Sequence, residues 1–271
     1  MLTTLLSASP QADWTFWQWV GYFIVNKYPE FIKGAGITML IAISGTIIGS
    51  AIGLIIGVIR SIPEKQNNTK VKIVTLRIIK TILQVYIEVF RGTPMIVQAM
   101  VIYYGFAREF HIILPTMLAG IVVVSINTGA YMSEIVRGGI ESIDRGQFEA
   151  AHTIGMSHSQ TMMHIILPQA IRNILPATGN EFVINIKDTS VLSVISVTEL
   201  FFASKSIAGT YMAYFETMII TCAVYFVLTF SVTRILRQIE KKIDGPSSYT
   251  IYGSSTMPES VISIERGEGH R

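Results

Sequence analysis

The chain has 271 residues, of which 50% are hydrophobic and only 14% are charged. Several of its uncharged stretches exceed the roughly 18 apolar residues that are enough for a membrane-spanning helix. This composition predicts an integral membrane protein. The formal net charge of +3 is too small to indicate nucleic-acid binding. A single cysteine, Cys222, excludes an internal disulfide and a thiolate metal cluster.

The first thirty residues lack the basic start and small-residue cleavage site of a secretory signal. They contain the stretch WTFWQWVGYFIV, whose Trp, Tyr and Phe side chains are typical of the headgroup region of a membrane. Residues 1–33 are therefore predicted to form an N-terminal interfacial aromatic segment.

Five membrane spans follow from the apolar pattern, and together they predict an all-α integral membrane fold. Residues 34–59 and 112–133 are uncharged, and residues 206–233 contain only Glu216. Residues 69–107 are interpreted as one long span with a basic first part and an irregularity near Pro94. Residues 173–198 form the fourth span in order, with three charged residues inside it.

The distribution of Lys and Arg predicts the orientation of these spans, because cytoplasmic segments carry an excess of both. An odd number of spans places the two termini on opposite sides of the membrane. If the C terminus is cytoplasmic, most of the basic residues lie on the cytoplasmic side. Outside remain Lys27, Lys33, Arg108 and Lys205. Inside lie Arg60, Lys65, Lys70, Lys72, Arg137, Arg145, Arg172, Arg234, Arg237, Lys241 and Lys242. The permease domain is then 34–242, and residues 243–271 are a polar cytoplasmic tail predicted to be disordered.

Between the third and fourth spans lies a segment, about 141–168, with the pattern of two short helices. Asp144 is a favourable N-cap with Gln147 three residues later, and Gly155 is a stop signal. Ser157 and Gln160 have the spacing of a capping box, and Pro168 is expected to limit the second helix. Phe148, Ala151, His152 and Gly155 share one face, which predicts a docking surface for another protein.

This segment carries a spaced motif, complete in this chain, consisting of Glu149, Ala150, Ala151, Gly155, Ile165, Leu167 and Pro168. The motif resembles the coupling loop of permease subunits of ABC importers. VFRGTPMIVQ (89–98), GAYMSEIVRGGIESIDRGQFEAA (129–151) and NIKDTSVLSVI (185–195) are similar to the polar amino acid uptake branch of histidine, glutamine and arginine permeases.

The resemblance covers about residues 34–242 and implies a definite set of partners. They are two ATPase subunits, a second permease copy or paralogue, an extracellular amino acid-binding protein and membrane lipid. The chain itself has no Gly-x4-Gly-Lys-Ser/Thr phosphate loop, so it is not expected to bind ATP phosphates or to be an enzyme. ATP and Mg²⁺ would be used by the partner ATPase, and no cofactor is expected on this chain.

Charged residues at membrane depth are candidates for the substrate path, because their burial in lipid is costly. They are Glu88, Arg91, Glu134, Glu181, Lys187, Asp188 and Glu216. An amino acid needs both charge signs and hydroxyl or backbone groups, which favours Arg91 with Thr93 and Asp188 with Thr189 and Ser190. The broken helix at RGTP is expected to present free backbone N–H groups. Structural ion pairs, Lys187 with Glu88 or Arg91 with Asp188, remain the alternative.

Two further patterns concern the spans. Asn127, Thr128 and Tyr131 share a face of the third span and either line the same cavity or bond helices together. Gly45, Gly49, Gly53 and Gly57 form a row at four-residue spacing, which predicts close packing with another helix and leaves a moving interface as the alternative.

Other functions fit the sequence less well. The five histidines lack the i, i+4 spacing of a helical metal site, and no Gly-x-Ser-x-Gly elbow is present. A self-contained secondary transporter or channel, using the membrane charges for ion coupling, is the remaining alternative. It would have no need of the helical segment at 141–168.

Overall fold

The computed structural model describes residues 13–63, 70–243, 248–252 and 261–265, and it is almost entirely helical. In chain order, the helices are α1 (Phe16–Asn26), α2 (Tyr28–Ser61), α3 (Lys70–Gly92), α4 (Met95–Phe110), α5 (Thr116–Glu141), α6 (Arg145–Thr153), α7 (His158–Thr161), α8 (Leu167–Asp188), α9 (Leu200–Tyr211) and α10 (Tyr214–Ile243). A π turn, Met162–Ile166, joins α7 to α8, and a 3-10 turn, Thr189–Ile195, follows α8.

Within these described ranges, three helices are long and apolar enough to cross a membrane: Tyr28–Ser61, Thr116–Glu141 and Tyr214–Lys242. His158–Ile195 with Leu200–Tyr211 would make a fourth span if that pair, bent by 54°, is counted as one. The predicted second span is two helices, α3 and α4, because Pro94 cannot continue α3. The number of five spans therefore stays a prediction.

The predicted start of the fifth span at residue 206 is wrong. Residues 200–211 form the separate helix α9, and Met212 adopts a left-handed conformation with φ of 54° before α10 begins at Tyr214. Left-handed backbone is usually signalled by Gly or Asn, and methionine gives no such signal.

The row of glycines on α2 packs directly against α5, as the spacing predicts. A Cβ added at Gly45, Gly49, Gly53 or Gly57 would collide with α5, at Val124, Thr128, Met132 and Val136 respectively. At Gly53 the collision includes backbone, 2.7 Å from the carbonyl carbon of Met132 and 2.8 Å from the nitrogen of Ser133. Helices α2 and α5 approach each other this closely because these four positions have no side chain.

Gly53→Ala is therefore expected to lower the melting temperature of the purified protein, because backbone cannot move aside as a flexible side chain can. We expect a loss of about 1–3 kcal/mol, the usual range for overpacking. Gly36→Ala is the matched control, since a Cβ there meets nothing within 4 Å. Equal melting temperatures for the two variants would contradict the close packing.

Three apolar clusters hold the helices together. One joins α2, α4 and α5 to the 3-10 turn around Ile41, Val123 and Leu192. A second joins α5 to the π turn and α8 around Met132, Ile166 and Ala170, and a third packs Trp19 and Phe23 of α1 against α9 and α10. The aromatic segment thus packs partly on its own chain. Residues 1–12 of the predicted interfacial segment lie outside the described residues.

The tail was predicted to be disordered, and most of it lies outside the described residues. Its two described stretches form an antiparallel pair, β1 (Ser248–Tyr252) and β2 (Val261–Glu265), in which Ser248 is opposite Glu265 and Tyr252 is opposite Val261. Both stretches are rich in residues that favour strands, which accounts for the difference from the prediction.

Candidate functional site

The segment between α5 and α8 has the local structure that its sequence predicts. The Asp144 side chain caps α6 and accepts a hydrogen bond from the backbone nitrogen of Gly146 at 2.6 Å. Gly155 ends the helical turn with φ of 81°. At α7 the Ser157 nitrogen donates to Gln160 Oε1 at 2.9 Å, and the Gln160 nitrogen donates to Ser157 Oγ at 3.3 Å. The N-cap, the glycine turn and the capping box are therefore confirmed.

The faces of α6 are arranged differently from the predicted docking surface. Phe148 is half-buried against the cluster around Met132 and Ile166, and Ala151 is only 1% exposed. These two residues seat α6 on the chain's own core. The exposed surface of this segment includes Glu149, Ala150, His152, Ile154 and Gly155. Ile154, which the sequence did not single out, is 76% exposed at the end of this surface.

Pro168 does not limit the second helix, contrary to the prediction. The π turn Met162–Ile166 carries the chain from α7 directly into α8, with Pro168 in the first turn of α8. A proline removes one helical N–H bond and crowds the carbonyl four residues earlier, and the wider π turn accommodates it. Ile165 and Leu167 pack beside the second cluster, so these motif residues fix the segment to the membrane helix.

A second group of polar residues surrounds the break between α3 and α4. Pro94 has no N–H to offer the carbonyl of Phe90, four residues earlier. The Gln98 side-chain amide donates to this carbonyl at 2.9 Å, and the Asn127 amide donates to it at 3.3 Å. Asn127 also donates to Gln98 Oε1 at 2.9 Å, and Thr93 Oγ1 donates to the Val89 carbonyl at 2.8 Å. The break therefore exposes carbonyls, which Asn127, Gln98 and Thr93 satisfy. The first turn of α4 has no side-chain cap, so the expectation of free backbone N–H groups there stays a prediction.

Gln98→Leu is expected to destabilise the folded protein by about 1–3 kcal/mol, because the part-buried carbonyls of Phe90 and Thr93 would each lose one donor and Asn127 would lose its acceptor, Gln98 Oε1. Thermal unfolding in detergent measures this loss. Gln169→Leu is the control, since its amide makes a similar bond to Ile165 on an exposed surface. A Gln98→Leu protein as stable as this control would mean that the break does not depend on side-chain donors.

The third group lines a cavity of about 520 Å³ between α2, α3 and α5. Glu134 of α5 accepts from Arg60 of α2 and from Arg137 Nη2, the latter at 2.9 Å. Arg60 also donates to Gln84 of α3, whose amide donates to Glu88 at 2.6 Å. Arg91 lies over the ring of Tyr131, 5.5 Å from its centre. Three of the predicted path residues, Arg91, Tyr131 and Glu134, thus line one cavity, and Asn127 and Thr93 lie at the neighbouring break.

The remaining predicted path residues lie elsewhere, at the end of α8. Thr189 is fully buried and donates to the Ile186 carbonyl at 3.0 Å, whereas Asp188 and Ser190 are half-buried. Among the ion pairs of the described residues, neither Arg91 with Asp188 nor Lys187 with Glu88 occurs. Thr128 belongs to a third network, in which the Asn185 amide donates to both Thr46 and Thr128.

Several important residues were missed by reasoning from sequence. Arg60 was assigned only to the cytoplasmic surface, and its pairing with Glu134 joins positions 74 residues apart. Glu199 is fully buried and caps α9 by accepting from the backbone nitrogens of Phe201 and Phe202 at 2.8 and 2.7 Å. Tyr225 of α10 donates to the same carboxylate at 2.9 Å. Glutamate is not a preferred N-cap, so no local signal marks it.

The described part of the chain contains no group of three or more His, Cys, Asp or Glu residues able to hold a metal ion.

Comparison with known proteins places these features in a family. The family model of binding-protein-dependent transport system inner membrane components matches residues 71–245. A probable amino-acid permease, YxeN of Bacillus subtilis, is 36% identical, with 83% of this chain and 96% of the relative covered. The arginine transport system permease ArtQ of Bacillus subtilis is 33% identical, over 81% of this chain and 94% of ArtQ. The glutamine transport system permease GlnP of Escherichia coli K12 is 36% identical, and the match covers 79% of this chain and 93% of GlnP.

Solved structures agree with the sequence comparisons. A chain of an amino acid ABC transporter crystallised with histidines has a TM-score of 0.70 and 37% identity, with 81% of this chain and 96% of that chain covered. A chain of the inward-facing MetNI methionine ABC transporter has a TM-score of 0.64 and 16% identity, and the match covers 79% of this chain and 95% of that chain. At this identity the match supports the fold alone. YxeN, ArtQ and GlnP are named as permeases and not as enzymes, and the resemblance inferred from the sequence motifs is confirmed. The chain belongs to the family of binding-protein-dependent transport system inner membrane components.

Proposed function

We propose that this chain is the transmembrane permease subunit of an ATP-driven importer for a polar L-amino acid. Its relatives with similar length are named for arginine and glutamine transport, and the chain covers more than nine tenths of each. Glutamine and arginine are therefore the first substrates to test. A self-contained secondary transporter does not fit a family that depends on binding proteins.

The observation that carries the proposal is the ordered surface between α6 and α7. The core holds this segment through Phe148, Ala151 and Ile165, while Glu149, Ala150, Ile154 and Gly155 face away from the bundle. An exposed apolar side chain beside small residues suits a groove of another protein. Two ATPase subunits would bind here, and closure of the ATPases on nucleotide would move the helices attached to this segment.

The remaining parts of the importer follow from this arrangement. Two permease subunits, identical or paralogous, would form the path across the cytoplasmic membrane. The N terminus would lie outside and the C terminus inside, which places the coupling surface at the ATPases. An extracellular binding protein would deliver the amino acid to the outer face, because the short outer loops are too small to select a ligand.

The substrate path is proposed to pass Arg91, Thr93, Asn127, Tyr131 and Glu134, and then Asp188, Thr189 and Ser190. Support comes from the cavity beside Arg91 and from the polar groups at the break between α3 and α4. Thr93, Asn127 and Thr189 use their polar atoms within the fold, so their part would be to shape the path.

The function can be tested by reconstituting the chain with its ATPase and binding protein in liposomes. ATP-dependent uptake of labelled L-glutamine or L-arginine is expected, and none without the ATPase. An Asp188→Asn variant should transport more slowly if Asp188 lines the path. Uptake driven by an ion gradient without the ATPase would overturn the importer assignment.

A further inference from the structure

Helix α3 carries two different exposed faces. Ile78, Ile82, Val85 and Val89 recur at helical spacing on one face and are each about half exposed or more. On another face lie Thr81, Gln84, Glu88 and Arg91, of which all but Gln84 are exposed. The apolar face suits lipid, whereas the polar face requires water or polar partners.

The depth of the polar face is fixed by contacts with α2. Lys80 Nζ donates to the carbonyl of Ile62 at 2.6 Å, so Lys80 is level with the end of α2. One turn further, Gln84 is level with Arg60. Arg91 is seven residues beyond Gln84, which is about 10 Å along a helix. Glu88 and Arg91 therefore lie beside the apolar part of α2, inside the membrane.

Among the cations that line the cavity, Arg60 and Arg137 are paired and Arg91 is not. Glu134 engages Arg60 and Arg137, and Arg137 also engages Glu141. Glu88 accepts a hydrogen bond from the neutral amide of Gln84. Among the described residues, Arg91 forms no ion pair, and its guanidinium has the face of Tyr131 as its contact. A guanidinium held over a ring keeps its N–H donors available, and two of them match the geometry of a carboxylate.

We propose that the polar face of α3 lines a water-filled vestibule. At the end of this vestibule that lies deepest in the membrane, Arg91 binds the carboxylate of the transported amino acid. This inference rests on the proposed function for the identity of the ligand. The ion cluster of Arg60, Glu134 and Arg137 forms the opposite wall and fixes α3 to α2 and α5. The chain's own helices thus supply a polar route beside a lipid-facing surface.

Cysteine labelling tests the vestibule without any measurement of transport. The full complex would carry Cys222→Ser with either Glu88→Cys or Val89→Cys, which are neighbours on the two faces. A membrane-impermeant maleimide should react with Glu88→Cys about tenfold faster or more, because a thiolate forms readily only where water reaches it. Equal rates would overturn the vestibule. Rapid disulfide formation between two Glu88→Cys copies would also overturn it, since the face would then be a subunit contact.

Protection by ligand tests Arg91. Saturating L-arginine and L-glutamine, added separately, are expected to slow labelling of Glu88→Cys severalfold, and agmatine, which lacks the carboxylate, should not. Protection should disappear in Glu88→Cys/Arg91→Gln and persist in Glu88→Cys/Lys187→Gln. Equal protection by agmatine, or protection that survives Arg91→Gln, would contradict the binding of the ligand carboxylate by Arg91.

If neither amino acid protects although labelling remains fast, the carboxylate site is wrong and the vestibule stands. If ATP-driven uptake is absent while both labelling results hold, only the importer assignment fails.

Discussion

Ile154→Asp is expected to abolish ATP-driven uptake by preventing the ATPase from binding. Ile154 is 76% exposed, so its replacement removes no packing from the chain's own core. Burying an isoleucine side chain in a partner contributes about 1.5–3 kcal/mol, and a carboxylate in the same groove adds a desolvation cost. A loss of about 3 kcal/mol corresponds to roughly a hundredfold weaker association. Co-purification of the ATPase with the permease measures this effect.

Ile113→Asp is the matched control, because Ile113 is 78% exposed and lies between α4 and α5, far along the chain from the coupling surface. It should retain the ATPase fully. Gly155→Asp should behave like Ile154→Asp, since it adds a side chain at the surface and places it on backbone with φ of 81°. If Ile154→Asp and Ile113→Asp retained equal amounts of ATPase, the assignment of this surface would be wrong.

Glu134→Ala is expected to be the most destabilising single substitution in the bundle. The side chains of Arg60 and Glu134 are 14% and 21% exposed, so removal of the carboxylate leaves two arginines facing each other at the partly buried wall of the cavity. Breaking a fully buried pair costs about 3–5 kcal/mol, and access of water from the cavity places this loss at the lower end of that range, about 3 kcal/mol. We expect a large fall in melting temperature in detergent and little folded protein in the membrane.

Glu141→Ala provides the comparison, because Glu141 accepts two hydrogen bonds from the same Arg137 but is 62% exposed. An exposed pair contributes about 0–1 kcal/mol, so this variant should remain folded. The double variant Arg60→Met/Glu134→Met removes both charges and should be more stable than Glu134→Ala. The network is not structural if Glu134→Ala and Glu141→Ala unfold at the same temperature.

Local structure could be predicted from the sequence wherever a few neighbouring residues decide it. The caps at Asp144 and Ser157, the turn at Gly155 and the break at Pro94 each depend on contacts within four residues. The glycine row of α2 was also predictable as a packing surface, because only a close neighbour explains such spacing. Its partner, α5, was not, since the spacing carries no information about which helix approaches.

Long-range contacts could not be predicted either, because they depend on which helices are neighbours in the fold. The periodic face predicts that one side of α6 packs against another surface. In the structure Phe148 and Ala151 pack inward and Ile154 is exposed. This orientation of α6 is determined by the positions of α5 and α8, which the local sequence does not give. Arg60 and Glu134 belong to different helices, and their charges alone allowed other pairs. The freed carbonyl of Phe90 was foreseeable from Pro94, whereas its donors, Gln98 and Asn127, depend on tertiary structure.

The continuous path of the backbone from α7 through the π turn into α8 has a mechanical consequence. The same helical rod begins at the exposed coupling surface and ends at Asp188, about 45 Å away if thirty residues rise 1.5 Å each. Its stiffness is lowest at the π turn beside Pro168 and at Pro176, where the ladder of hydrogen bonds is interrupted. The rod therefore behaves as three stiff pieces connected in series by two elastic joints. In the proposed importer, a displacement applied at the end near Gly155 would be divided between those joints, so their compliance would set how much of it reaches Asp188.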